Sequence, residues 1–239
     1  GQEQRDDYRT LRNLRLDKRL LSFSTPHIWR TNVIYNLPLG PGKKFLKGRN
    51  PIISRLVEQW QISTIYNVFS GSPIGLSSTA SSYNQNTDNT PVLVGSFAPS
   101  FGQAQKVSNG VVYFDGLKQI ADPSVAGVTT SQGLQGRSTL LAVTDASGKL
   151  LLINPTPGQL GTLSQLYLSG PGSFRLDVNL IKRVKIREDI NFEFRADAID
   201  VLNTPQWNNP NTDINSTNFG RITGAGGNRI VVLTAKINF

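Results

Sequence analysis

Five stretches of the chain alternate apolar and polar residues with a period of two. In 27–37, Trp29, Thr31, Val33, Tyr35 and Leu37 fall on one face, and Arg30, Asn32 and Asn36 on the other. A helix would mix these sets, so the pattern predicts a strand. From about Leu56 to Phe69, Trp60, Ile62, Thr64, Tyr66 and Val68 stand opposite Gln59, Gln61, Ser63 and Asn67. In 174–184, Phe174, Leu176, Val178 and Leu180 alternate with Arg175, Asp177 and Asn179. In 190–199, Phe192, Phe194, Ala196 and Ala198 alternate with Asn191, Glu193, Arg195 and Asp197. The final stretch, 229–239, sets Val231, Leu233, Ala235, Ile237 and Phe239 against Thr234, Lys236 and Asn238.

The connections come in two sizes. Those at 38–55 and 185–189 are short, and those at about 70–173 and 203–228 are long. The tract 77–90 is almost wholly polar and reads as loop. Short apolar pieces at 111–114 and 149–153 lie among Gly and Pro, so 77–172 is expected to be one long excursion with minor local strands.

Alternation suits both a soluble sandwich and a transmembrane barrel. Three features favour the barrel. The clear strands run about 10–14 residues, against roughly 5–6 in globular proteins and about 9–11 for a tilted membrane strand. Trp29, Tyr35 and Trp60 sit near strand ends, as an aromatic girdle would. Short and long connections alternate, as they do between the two rims of an outer-membrane barrel. The expected fold is all-β, a partial antiparallel transmembrane β-barrel with long extracellular loops. With Phe239 at the periplasmic rim, 1–26, 77–172 and 203–228 become outer loops. Five strands are too few to close such a barrel, so preceding strands are expected. The sequence opens at Gly1 without Met and reads as a mature form or a fragment.

Composition narrows the chemistry. Lys and Arg total 25 against 16 Asp and Glu, a net charge of +9. The charge is spread out with no run of five like residues, which argues against nucleic acid as a partner. There is no Cys and a single His, His27, so neither a metal site nor a cofactor is expected. No convergent carboxylate pair suggests an enzyme. The GAGG at 224–227 lacks the strand, helix and Lys of a phosphate loop and reads as flexible outer loop. TDINSTN at 212–218 lacks the spacing of a calcium loop, and Asn215-Ser216-Thr217 fits the glycosylation pattern in form only.

The stretch 192–239, FEFRADAIDVLNTPQWNNPNTDINSTNFGRITGAGGNRIVVLTAKINF, resembles the C-terminus of TonB-dependent outer-membrane receptors. It is most similar to the Oar-like kind with a carboxypeptidase-regulatory-like N-terminal domain. PHIWRTNVIYNLPLGPGKKF at 26–45, WQISTIYNVFSGSPI at 60–74 and NPTPGQLGTLSQLYLSGPGSFRLDVNLIKR at 154–183 resemble the same family in the same order. The resemblance implies the last strands of a 22-stranded barrel in the cell outer membrane of a Gram-negative bacterium. It also implies a plug, coupling to a TonB complex, and uptake of a scarce nutrient. The plug and the TonB box are absent from this chain.

On that resemblance Phe239, Ile237, Ala235, Leu233 and Val231 look like the signal read by the barrel-insertion machinery. Arg175, Asp177, Glu193, Arg195, Asp197 and Lys236 share the proposed lumen face, where mixed signs can pair across strands. The expected partners are outer-membrane lipid and lipopolysaccharide, and the preceding strands and plug of the same receptor. The competing reading is a surface or secreted β protein. Such a protein would bind an anionic glycan or lipopolysaccharide, or serve as a structural component of a larger assembly.

Overall fold

Alternation becomes register in the computed structural model, which describes residues 13, 15, 18–46, 50–78, 89–126, 137–156 and 158–239. The expected loop at 1–26 lies largely outside these residues, as does 79–88 of the polar tract. The chain divides into two compact units, one of 27–69, 173–206 and 226–239, the other of 1–26, 70–172 and 207–225.

The first unit is a five-stranded antiparallel sheet. Its strands are β1 (Ile28–Asn36), β2 (Trp60–Phe69), β3 (Ser173–Lys185), β4 (Asn191–Ile199) and β5 (Ile230–Asn238). They pair in chain order, so β1 and β5 are both edges and the sheet is open. The registers Trp29↔Val68, Val68↔Phe174, Leu180↔Ala196 and Ala196↔Leu233 carry one mainly apolar face across all five strands. A slip of one residue at any pair would put part of that face on the wrong side.

Two boundaries differ from the sequence reading. Leu56 and Val57 do not begin a strand; they close a helix, α1 (Pro51–Val57). Asn50 caps it by accepting the Ile52 N–H at 2.9 Å, and Pro51 holds the first helical position, a pair that favours helix entry. Gln59, at φ 57°, then turns the chain into β2. β3 also runs on to Lys185, which the sequence places in the short connection 185–189, because it still pairs with Asn191 of β4.

The second unit contains the minor local strands expected in 77–172, and adds a buried core that the sequence reading did not anticipate. Residues 70–172 and 207–225 contain a four-stranded antiparallel sheet in the order 92–93, 150–153, 141–144, 118–121. A three-stranded sheet joins 221–222, 110–112 and 105–107. Ile74, Phe114, Val143, Leu152, Leu168 and Ile214 belong to its buried core. Ile214, inside the polar TDINSTN stretch, is 0% exposed. Its neighbour Asn215 is tied down, donating to Asn154 at 2.8 Å and accepting the Leu141 N–H at 2.8 Å.

Asn154 is the hub of that polar knot. It donates through its main-chain and side-chain nitrogens to Asp122 Oδ2, at 2.7 Å each, and accepts from Ser78 Oγ at 2.6 Å. Burial pulls the Asp122 carboxyl upward, but bonds from Asn154 and Ser124 outweigh it and hold it below the ordinary carboxylate range. A depressed folded value stabilises the fold above the unfolded value, and the contribution is lost as pH falls through the folded one.

Two outcomes are expected. Leu152→Ala destabilises this unit by about 2–5 kcal/mol, read as faster limited proteolysis within 89–172, whereas Leu233→Ala leaves that rate unchanged. Proteolysis of the unit accelerates as pH drops below about 4, and Asp122→Asn flattens that dependence while raising the rate at neutral pH.

Candidate functional site: a two-faced wall

The sheet has no hydrophobic core of its own. Among the described residues every buried apolar side chain lies outside β1–β5. Its apolar face is instead open: Trp29 is 67% exposed and Leu233 66%. An antiparallel sheet in water would need something to cover such a face.

Aromatic side chains mark both ends of it. At one end Trp29 meets Tyr66 edge-on at 6.3 Å, and Tyr66 meets Phe174 at 5.2 Å, forming a row across three strands. At the other end stand Tyr35, beside Ile62, and Trp60, beside Lys182. From Val68, opposite Trp29, to Trp60 is eight residues, about 26 Å of strand, or about 20 Å along the normal at roughly 40° tilt. That approaches the apolar band of about 25 Å in outer-membrane barrels. Sequence inspection placed Trp29, Tyr35 and Trp60 near strand ends. It missed Tyr66 and Phe174 as partners of Trp29, since only cross-strand register brings them together.

The opposite face collects the charges. Arg175, Asp177, Glu193, Arg195, Asp197 and Lys236 all lie on it. Their pairing is more local than mixed signs on neighbouring strands suggest. Arg175 binds Asp177 and Arg195 binds Asp197, each at 2.8 Å and two residues apart on one strand. The cross-strand pair is Arg183–Glu193, also 2.8 Å, and Arg183 also donates to Gln61 Oε1 at 3.0 Å. Arg183 was not among the expected residues, although it continues the odd-numbered series of β3. Glu193 is the register partner of Lys236. Asn179 donates to Asp197 and accepts from Ser63 Oγ at 3.2 Å, extending the polar ladder from β2 to β4. Partly exposed ion pairs of this kind contribute about 0–1 kcal/mol each, so they shape the face more than they stabilise it.

The last strand presents its residues openly. Val231, Leu233, Ala235 and Ile237 line one side of edge strand β5, and Phe239 follows it, 98% exposed. In the glycine stretch, Gly227 is the position that takes the left-handed conformation. Gly227 has φ +86°, and a Cβ there would lie 2.9 Å from Thr204 O and 3.3 Å from Asp200 Oδ2.

Within the second unit a shallow cleft of about 460 Å³ runs between Gly102, Gln103, Tyr113, Ser169 and Trp207. Burial raises the Tyr113 phenol, whose hydroxyl donates to Ser169 O at 2.7 Å. No titratable group lines this cleft except Tyr113. Among the described residues no group of three or more His, Cys, Asp or Glu could hold a metal ion. His27, exposed, lies just before β1. No described helix is long and apolar enough to cross a membrane, which leaves crossing by strands untouched.

Residues 1–231 match the family model described as an outer membrane beta barrel domain. No curated protein and no solved structure matches the chain. With nearly its whole length matched, the chain belongs to the outer membrane beta barrel domain family, and its place is the outer membrane.

Proposed function

We propose that this chain is the C-terminal part of the barrel of a TonB-dependent receptor, of the Oar-like kind, that takes up a scarce nutrient. One observation carries the barrel reading: five strands share a continuous apolar face that no protein core covers. Lipid tails are the solvent that suits such a face, and a polar lumen suits the charged ladder behind it. The C-terminal resemblance over 192–239 supports the finer assignment. In this reading β1 and β5 pair with strands outside this chain, closing the wall to 22 strands. Arg175, Asp177, Arg183, Glu193, Arg195 and Asp197 line the lumen, and the terminal series ending at Phe239 addresses the insertion machinery.

The surface-protein reading keeps one point of support. The unit of 70–172 and 207–225 has its own core and a cleft bearing Tyr113 and Trp207, aromatic rings against which the sugar of a glycan can pack. That is compatible with capture of ligand by the outer part of a receptor.

Cysteine scanning tests the wall directly, because the chain has no native Cys. In the intact protein in its membrane, Asn179→Cys is expected to react with a water-soluble maleimide and Val178→Cys to be protected. Equal labelling along β3 would sink the barrel reading. A reading frame with no plug-type domain upstream would overturn the TonB assignment and leave the barrel standing.

A further inference from the structure

The connection 37–59 carries a feature that a simple barrel turn does not need. Helix α1 presents Ile52, 72% exposed, together with exposed Ile53 and Leu56. Phe45 and Leu46, earlier in the connection, are also more than half exposed. The described basic residues here are Lys43, Lys44 and Arg55, all exposed, against the single acid Glu58. Lys44 lies over the Phe45 ring at 5.4 Å. The other connection at the same end of the sheet, 186–190, holds Arg187 against Glu188 and Asp189, so the basic surplus belongs to 37–59.

The side of the sheet on which α1 sits is fixed by two side chains of the apolar face. Lys182 belongs to that face, since it is the register partner of both Phe194 and Trp60. It is only 6% exposed. Its ammonium donates to Arg55 O at 2.7 Å and to Glu58 O, and lies 5.5 Å from the Trp60 ring centre. The Trp60 indole N–H donates to Leu56 O at 2.9 Å. Carbonyls at a helix C-terminus carry partial negative charge and lack partners within the helix, so a cation and an indole donor satisfy them. The end of α1 is thereby pinned beside the apolar face at its rim, rather than behind the polar face.

We infer that the 37–59 connection is an interfacial foot, with α1 seated in the headgroup layer of an anionic phospholipid leaflet. Ile52, Ile53, Leu56 and Phe45 enter the boundary with the acyl chains, and Lys43, Lys44 and Arg55 meet lipid phosphates. Apolar residues beside basic ones, continuous with a face already suited to lipid, are what interfacial segments present. The inference rests on the barrel reading, which in the orientation set by Phe239 makes this the periplasmic leaflet.

The test uses the intact protein reconstituted into vesicles of phosphatidylethanolamine and phosphatidylglycerol, with one fluorophore attached at Ile52→Cys or at Leu233→Cys. Lipids carrying a quencher near the headgroup or near the acyl terminus report depth. The Ile52→Cys label is expected to be quenched from the headgroup position, and the Leu233→Cys label from within the acyl region. Arg55→Gln should move the docked-to-free ratio at Ile52→Cys about fivefold toward free in these vesicles, and leave it unchanged in phosphatidylcholine alone. A Leu233→Cys label in lipid beside an Ile52→Cys label open to aqueous iodide overturns the foot and spares the barrel. An Ile52→Cys label shielded from both lipid and iodide overturns it too, since protein then covers the helix. A Leu233→Cys label in water overturns both readings.

Discussion

The sheet depends on an apolar face whose side chains stand open. Trp29, Val33, Leu233 and Ile237 are each at least half exposed, and no strand of the sheet contributes to the buried core. In water the hydrophobic effect would drive such a face into aggregation or against a partner. In a bilayer the same face needs no partner, and the demand moves to the backbone, whose N–H and C=O groups must all be paired. The antiparallel ladders satisfy that demand within the sheet and leave it open at β1 and β5. In the proposed barrel, those two edges are where further strands would pair.

The polar face follows from the same geometry. Because side chains alternate strictly, placing Phe174, Leu176 and Val178 on one face forces Arg175, Asp177 and Asn179 onto the other. Neighbouring strands bring their own polar series to the same side, and the result is a ladder of amides and ion pairs from Ser63 to Asp197. The Arg175–Asp177 and Arg195–Asp197 pairs close along a strand rather than between strands, so they add little to register.

What could be read from sequence tracks how regular each element is. The five long strands were legible because nine or more residues of alternation leave little ambiguity. Helix α1 was not, because Leu56 and Val57 run straight into the alternating Trp60 series and hide a helix end announced only by Asn50-Pro51. The unit of 70–172 and 207–225 was the largest loss. Its strands are two to four residues long, too short for periodicity to appear. Its core draws single apolar residues, such as Ile214, out of polar surroundings. The charged face was legible residue by residue, but its pairing was not, since Arg183 and Asn179 matter only once β2, β3 and β4 are aligned.

The discontinuity of the second unit has a consequence for biogenesis. Phe114 stacks on Phe219 at 5.3 Å, and Val111–Val112 pairs with Arg221–Ile222. The interior begun by 70–172 therefore stays incomplete until β3, β4 and the segment 207–225 have all been delivered. Joining segments so far apart in the chain is a long-range dependence that slows folding of this body.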